Sequence, residues 1–271
     1  MPTSAERRLA RLVRTALAAL AGTAQGERLR AAIAGGDERA VLAALDFQTL
    51  IAALAPAREV IAEATALAGA GEAARLGIGL SFDSVDPRVV GYAEARTGLM
   101  VRDITEATRA GVRAVVVASV RDGLLTVDDV AAILARGVGL HARWARAVRA
   151  AYAASLRTGL EAGAADPAAR ARRQAERVSR RLTEARALMI ARTETQYAQN
   201  AGRWLSWQAG VEAGYIDPNA TKVWSARDPC DQCRALDGTR IPWDADFPGA
   251  LAMPPAHPNC ECSAVLRGPL P

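Results

Sequence analysis

Five potential metal ligands near the end of the chain have the clearest chemical meaning. Cys230 and Cys233 form a CxxC pair, and His257, Cys260 and Cys262 follow in a short proline-rich stretch. A CxxC turn directs two sulfurs toward one point, and thiolates with imidazole suit tetrahedral zinc. Because a closed zinc site has four positions, one candidate is in surplus. The spacing predicts one structural zinc site, with either Cys262 or His257 as the fourth ligand.

Two other interpretations of the same cysteines remain open. All four cysteines lie between residues 230 and 262, in a segment of some fifty residues that is too small to form a sufficient core by itself. The cysteines would form one or two disulfides if the protein is extracellular. Alternatively, they are reduced and packed in a small core.

A catalytic role for the cluster is not indicated. The zinc deaminase signature requires His-x-Glu before the cysteine pair, but the only preceding histidine, His141, is followed by Ala-Arg. Cys260 and His257 are so close in sequence that ligand roles are favoured over a nucleophile with its base. No GxGxxG, Walker A, HExxH or GxSxG pattern occurs. We therefore expect no catalytic residues and no enzymatic activity.

A second motif is an unusually polar helical run with apolar residues on both sides. It contains Arg192, Thr193, Glu194 and Asn200. A paired acid–base site would need a histidine, an activated serine or a second carboxylate, and none accompanies the run. The interpretation that we favour is a buried hydrogen-bond network that docks the helix on the C-terminal module.

A third motif is a stretch rich in arginine. Between residues 143 and 192 there are 12 arginines and 4 acidic residues, whereas the segment 217–262 has 4 basic and 7 acidic residues. On a helix this stretch forms a positive stripe that can contact phosphates without reading sequence. The alternative is an ordinary solvated face. The candidates for weak, non-specific contact with double-stranded DNA are Arg170, Arg172, Arg173, Arg177, Arg180 and Arg181.

The elements that must position these residues are mainly helical. The 271-residue chain is 51% hydrophobic, which excludes wholesale disorder, and only 4% aromatic, with alanine and leucine as the main apolar residues. No apolar run approaches the length of about 18–20 residues that spans a bilayer. The fold class predicted is mainly α, with a multi-helix N-terminal and central region and a small Cys/His-rich α+β module at the C-terminus.

Local signals predict where several elements begin and end. Thr3 or Ser4 caps an amphipathic first helix, Asp37 and Thr126 cap later helices, and Pro56 interrupts another. Further helices begin at Asp86-Pro87 and at Asp166-Pro167, the latter continuing to about residue 210. Short β-like pieces follow at 222–225, 239–243 and 263–266.

The chain divides by composition into three consecutive segments. These are an N-terminal helical arm (1–80), a central helical domain (81–215) and the C-terminal module (216–271). The stretch 69–87 is rich in Gly, Ser and Asp, and is either a hinge or an ordinary interhelical loop. With a hinge, the short helices of residues 1–75 would reach out to dock on a ring-shaped assembly; otherwise they complete the helical core.

The combined motifs resemble the phage Mu protein F-like head morphogenesis family. The resemblance is strongest over residues 188–266. It rests on Ala191-Arg-Thr-Glu with Ala198, Asn200 and Gly202, on Trp224 and Asp228, on Cys230-x-x-Cys233 with Leu236-Asp-Gly, on Phe247 and Pro254-Pro255, and on His257-Pro-Asn-Cys260-x-Cys262. Family members often have Arg where Glu261 stands, so a DNA contact at that position is not supported here.

The resemblance implies a minor head protein of a tailed phage or phage-like particle. Such a protein is assembled in the bacterial cytoplasm, associates with the portal protein in the capsid interior, and is linked to packaged DNA and its ejection. The competing class is a zinc-dependent hydrolase or nuclease that acts on phage DNA. An open zinc site with an acid such as Glu194 facing it would favour that class.

Overall fold

The computed structural model describes residues 2–24, 26–122 and 125–268. This part of the chain is mainly helical, with a small antiparallel sheet near its C-terminus, and it confirms the predicted fold class. In chain order the helices are α1 (Ser4–Thr23), α2 (Glu27–Ala34), α3 (Glu38–Ala43), α4 (Phe47–Leu54), α5 (Ala57–Leu76), α6 (Pro87–Asp122), α7 (Val127–Gly137), α8 (Ala142–Glu161), α9 (Pro167–Glu212) and α10 (Asp231–Leu236).

The sheet is built from the three β-like pieces that the sequence indicates. The strands are β1 (Thr221–Ser225), β2 (Arg240–Pro242) and β3 (Ser263–Arg267), in the order β2-β1-β3. Both pairings are antiparallel, and Val223 of β1 lies opposite Arg240 on one side and Val265 on the other. The pairing of Ser225 with Ser263 brings the residues just before β3 beside those just after β1. This register determines where the cysteines meet.

The chain forms two compact units, and each is discontinuous in sequence. The first unit contains residues 1–9, 56–98 and 188–271, and the second contains 10–55 and 99–187. The helices α1, α6 and α9 contribute residues to both units because each helix continues through a boundary. The predicted division into three consecutive segments is a division by composition and stays a prediction. The two units are defined by contacts within the structure, and their boundaries fall at other residues.

Several helix boundaries follow the predicted signals. Thr3 and Glu6 form reciprocal hydrogen bonds at the start of α1, and Asp37 caps α3 through the amides of Arg39 and Ala40. Thr126 and Asp129 form a capping box at the start of α7. The helix α9 runs for 46 residues without interruption. Local capping chemistry was therefore sufficient to place these ends.

The two interpretations of the stretch 69–87, a hinge or an interhelical loop, are both wrong for its first part. Residues 69–76 are the last two turns of α5, and only 77–86 form a loop, in which Phe82 is buried. The residues of α1 that belong to the second unit are held by contacts within that unit. Leu17 packs against Gly139, and Arg14 forms a salt bridge with Glu184. These contacts favour the alternative in which the N-terminal helices complete the helical core.

A close approach of two backbones fixes α9 against α5 in the first unit. A Cβ atom added at Gly202 would lie 2.2 Å from the carbonyl oxygen of Thr65 and 2.8 Å from the amide nitrogen of Gly69. Nearby, the indole nitrogen of Trp207 donates to the buried carboxylate of Glu72 at 2.7 Å. The register of α9, which carries the polar motif, is thus set by a contact that only glycine permits.

We expect Gly202→Ala to destabilise the protein by about 2–3 kcal/mol, in the upper part of the range for overpacking, because the obstructing atoms are backbone. Gly71→Ala is the matched control, since Gly71 lies in the same helix pair and a Cβ there has open space around it. The control should be neutral or stabilising because alanine favours a helix. Denaturant unfolding measures both, and equal effects of the two variants would contradict the close approach.

Candidate metal centre

The five predicted ligands converge at one end of the small sheet. Cys230 is the residue before α10 and Cys233 lies in its first turn, whereas Cys260 and Cys262 directly precede β3. The β1–β3 register brings these two segments together, and the loop before β3 adds His257. Strand pairing therefore closes a distance of about thirty residues along the chain, which spacing alone could suggest but not establish.

The donor atoms form two groups that share one cysteine. The first group is Cys230, Cys233 and His257, and the second is Cys233, Cys260 and Cys262, with the donor atoms of each group within 4.8 Å of one another. The Nε2 atom of His257 lies 3.1 Å from both Cys230 Sγ and Cys233 Sγ. Cys233 Sγ lies 3.6 Å from Cys260 Sγ. A cluster of this composition can hold one tetrahedral ion.

The cysteines are not joined to one another. All four are free, and the Cys233–Cys260 separation of 3.6 Å is far longer than the disulfide length of about 2.05 Å. Cys233, Cys260 and Cys262 are buried, whereas Cys230 is exposed. The arrangement has the donor set predicted for a structural site, in which the surplus ligand is either His257 or Cys262.

The electrostatics of the cluster fit a bound cation. Burial, and then the neighbouring thiols of Cys262 and Cys260, raise the pKa of Cys233 well above its usual range. Burial also raises the pKa of Cys262, although the backbone amide of Arg227 acts in the opposite direction. The backbone amide of Cys233 is the main group that lowers the pKa of Cys230. Buried thiols of this kind become thiolates when a metal ion supplies the missing positive charge.

Three side chains of α9 hold the loop that carries the ligands. Gln196 Nε2 and Asn200 Nδ2 both donate to the backbone oxygen of Cys262, at 2.5 and 3.2 Å. Asn200 Oδ1 accepts from the amide of Ala264 at 3.2 Å, and Thr193 Oγ1 accepts from the amide of Asn259 at 3.1 Å. Because Asn200 is fully buried, its two bonds to the backbone hold β3 and the preceding loop against the helix.

The other two residues of the predicted polar network have different surroundings. The carboxylate of Glu194 pairs with the guanidinium of Arg96 in α6, at 2.6 and 2.7 Å, and that guanidinium lies 3.7 Å from the centre of the Tyr197 ring. Arg192 is exposed beside a polar cavity. The side chains of the polar run therefore contact different parts of the structure around the helix, because neighbouring residues of a helix point about 100° apart.

Sequence reasoning did not assign Gln196 or Arg96 to the network. Gln196 had a usable signal, since it precedes Asn200 by four residues and shares its face of the helix. Arg96 had none, because it lies 98 residues before Glu194 and no local pattern connects them.

The core of the C-terminal module includes a residue of α9. Trp224, Phe247 and Leu236 pack with Trp207 of the helix, and Trp224 meets Phe247 edge to face at 5.1 Å between ring centres. The chain's only lysine, Lys222, is buried here, donates to the backbone oxygen of Ala252, and has its pKa lowered to about 8 by burial. The core of the module is thus completed by a side chain of α9, in addition to the cysteine cluster.

The six arginines of the predicted DNA contact lie along α9 in the second unit. All six side chains are exposed. Arg177 also donates to Gln174, one turn before it. The stretch therefore presents positive charge to solvent, as a non-specific phosphate contact requires.

The comparison with protein families matches the part of the chain that contains these residues. The family model described as Phage Mu protein F like protein matches residues 140–265, which include the whole cluster and the polar run of α9. The resemblance indicated by the sequence is thereby confirmed for residues 140–265 of the chain. No significant match was found among curated proteins or among solved structures. None of the described helices is long and apolar enough to cross a membrane.

We expect the purified protein to bind about one equivalent of zinc and to release protons as it does so. Because the raised pKa values leave the thiols of Cys233 and Cys262 protonated at neutral pH, the ion must displace these protons. Zinc affinity should therefore rise with pH and weaken as pH falls. Calorimetric titration in buffers of different ionisation enthalpy measures the number of protons released.

Cys233→Ser should abolish tight binding, because Cys233 alone belongs to both donor groups. His141→Ala, which removes the only other histidine, should bind zinc as the unchanged protein does. A zinc-free native protein with two intact disulfides would contradict the metal site.

Proposed function

We propose that the protein is a structural minor head component of a tailed phage or phage-like particle. In this proposal it is assembled in the bacterial cytoplasm and resides in the head interior at the portal. There it contacts packaged double-stranded DNA without sequence preference and acts in head assembly and DNA delivery. A bound zinc ion stabilises its C-terminal module.

The observation that carries the proposal is the way the cluster is held in the family-matched region. Three of its four cysteines are buried, and the ligand loop is tied through backbone groups to α9. Such bonds keep a loop in one conformation, which suits a structural ion more than an ion that must accept a substrate.

The position of Glu194 supports a structural role over a zinc-dependent hydrolase or nuclease. A hydrolase needs an acid or base directed at the metal-bound water. The Glu194 carboxylate instead pairs with Arg96, which is itself only 15% exposed at its side chain. A carboxylate held in this buried ion pair is not available to a substrate at the cysteine cluster.

The location in the particle can be tested by co-expression with the portal protein of the same phage or prophage. We expect the full-length protein to co-purify with the portal ring in few copies, and a cryo-EM map of the particle to place it inside the head at the portal vertex. Recovery only from the outer capsid surface, or only free in the lysate, would contradict the proposal.

The DNA contact predicts a steep, sequence-independent dependence on salt. The logarithm of affinity should fall linearly with the logarithm of salt concentration, with a slope of about −0.9 for each phosphate neutralised. Replacing Arg172, Arg173, Arg180 and Arg181 by Gln should flatten this slope for unrelated duplexes alike.

The matched control for the DNA experiment removes four other exposed arginines of the second unit. These are Arg11, Arg28, Arg39 and Arg102, replaced by Gln. Because both quadruple variants lose the same net charge, a smaller change in the control assigns the contact to α9. Equal changes, or a sequence-selective complex, would count against the assigned face.

A further inference from the structure

Cys233 lies at the centre of a continuous group of four thiols in the first unit. Its sulfur belongs to both donor groups, so it lies within 4.8 Å of the sulfurs of Cys230, Cys260 and Cys262. Its separation from Cys260 Sγ is 3.6 Å, which is close to the spacing of about 3.8 Å between two thiolates on one tetrahedral zinc ion with Zn–S bonds of about 2.3 Å. An approach of about 1.5 Å would turn the same pair into a disulfide.

The four thiols differ in their access to solvent. Cys230, the residue before α10, is exposed, whereas Cys233, Cys260 and Cys262 are buried. An oxidant in solution therefore meets Cys230 first. The CxxC spacing places the thiol of Cys233 about one helical turn further on, which is the arrangement of an accessible cysteine with a resolving cysteine beside it.

A disulfide between Cys233 and Cys260 would join the same two segments that a zinc ion joins. Cys233 belongs to α10, and Cys260 belongs to the ligand loop, which Thr193 and Asn200 of α9 hold by its backbone. A disulfide between Cys230 and Cys233 would close within the CxxC turn and would not connect α10 to the loop. Only the first of these two disulfides can replace the cross-link that a module with a small core needs.

We propose that the cluster is a redox-sensitive site in which oxidation replaces the zinc ion by a disulfide between Cys233 and Cys260. The inference rests on the zinc ion of the proposed function and is independent of the portal and of the DNA contact. Zinc holds the module together under reducing conditions such as those of a bacterial cytoplasm, and the disulfide holds it together under oxidising conditions outside a cell.

With hydrogen peroxide as the oxidant, the disulfide forms in three steps. The Cys230 thiolate attacks one peroxide oxygen, the O–O bond breaks, and a sulfenic acid and a hydroxide form. The Cys233 thiolate attacks the sulfenic sulfur, which forms an S–S bond and expels a second hydroxide. The Cys260 thiolate then attacks the Cys233 sulfur, so that the disulfide moves to this pair and Cys230 returns to a thiolate.

The overall reaction is a two-electron oxidation of the pair Cys233 and Cys260. Peroxide accepts the two electrons, and two protons from solvent convert the two hydroxides to water. The site thereby loses two thiolate ligands and releases the zinc ion, because a disulfide sulfur has no negative charge with which to hold it.

The test treats the full-length, reduced, zinc-loaded protein with hydrogen peroxide. A chromogenic chelator follows the release of zinc, and mass spectrometry of tryptic peptides follows the disulfide. Trypsin cleaves after arginine, so Cys230 and Cys233 fall in the peptide 228–234, and Cys260 and Cys262 fall in the peptide 241–267. We expect the two peptides to become linked, with about one zinc ion released for each link.

Single serine variants assign the roles of the thiols. Because five donors serve four positions, each of these variants still has four donors for zinc. Cys230→Ser should slow the peroxide-driven release of zinc by at least about tenfold, because the exposed thiol is lost. Cys260→Ser and Cys262→Ser are a matched pair, since each removes one buried thiol of the same loop. The linked peptides should form in Cys262→Ser and should be absent in Cys260→Ser.

A second measurement asks whether the disulfide replaces zinc as a cross-link. In the presence of a strong chelator, the reduced protein should lose hydrogen-exchange protection over residues 221–267, whereas the peroxide-treated protein should keep it. Adding a thiol reductant to the peroxide-treated protein in chelator should then remove the protection, because neither link remains.

The contrary outcomes distinguish the exchange from the zinc site. Absence of zinc from the reduced protein would overturn both. Zinc that stays bound in peroxide would overturn the exchange alone, as would zinc that leaves while the thiols become sulfinic acids or form a disulfide confined to 228–234. Peroxide-treated protein that loses protection in chelator as readily as the reduced protein would show that the disulfide does not replace the ion.

Discussion

The fully buried side-chain amide of Asn200 is the interaction on which the candidate site depends. It donates to the backbone of Cys262 and accepts from the backbone of Ala264, so one side chain bridges the ligand loop and β3. An amide with both functions satisfied is strong in a buried setting, whereas a half-satisfied one is costly. The position of the ligand loop therefore depends on α9. Gln196 and Thr193 form further hydrogen bonds from this helix to the loop.

The helix can serve this purpose only because it is itself fixed. Gly202 lies in contact with the backbone of α5, and Trp207 reaches from α9 both to Glu72 and into the core of the module. Within a stretch of fifteen residues, α9 therefore carries the three side chains that hold the ligand loop, the glycine of the close approach and a core aromatic side chain. A module with few apolar residues has a small core, and packing against a rigid neighbouring helix gives it additional stability.

Local sequence signals predicted most of the fold and the residues that form the candidate metal cluster. Caps such as Asp37 and Thr126, and the spacing of Cys230 with Cys233, act over a few residues and can be read directly. The partners of the polar run could not be read, because Glu194 meets Arg96 across 98 positions. The discontinuous units have the same origin, since long helices enter both and no local composition change marks the boundary.

The charge balance of the cysteine cluster favours the binding of a cation. The one lysine of the module, Lys222, is buried, donates to the Ala252 carbonyl and lies 5.3 Å from the centre of the Phe247 ring, so its ammonium group is engaged there. The backbone amides of Arg227 and Cys233 lower the pKa of Cys262 and of Cys230, respectively, but they carry no net charge, and burial acts in the opposite direction. Several adjacent thiolates would repel one another without a cation. A divalent ion would remove that repulsion and would join the CxxC turn to the loop that α9 already holds.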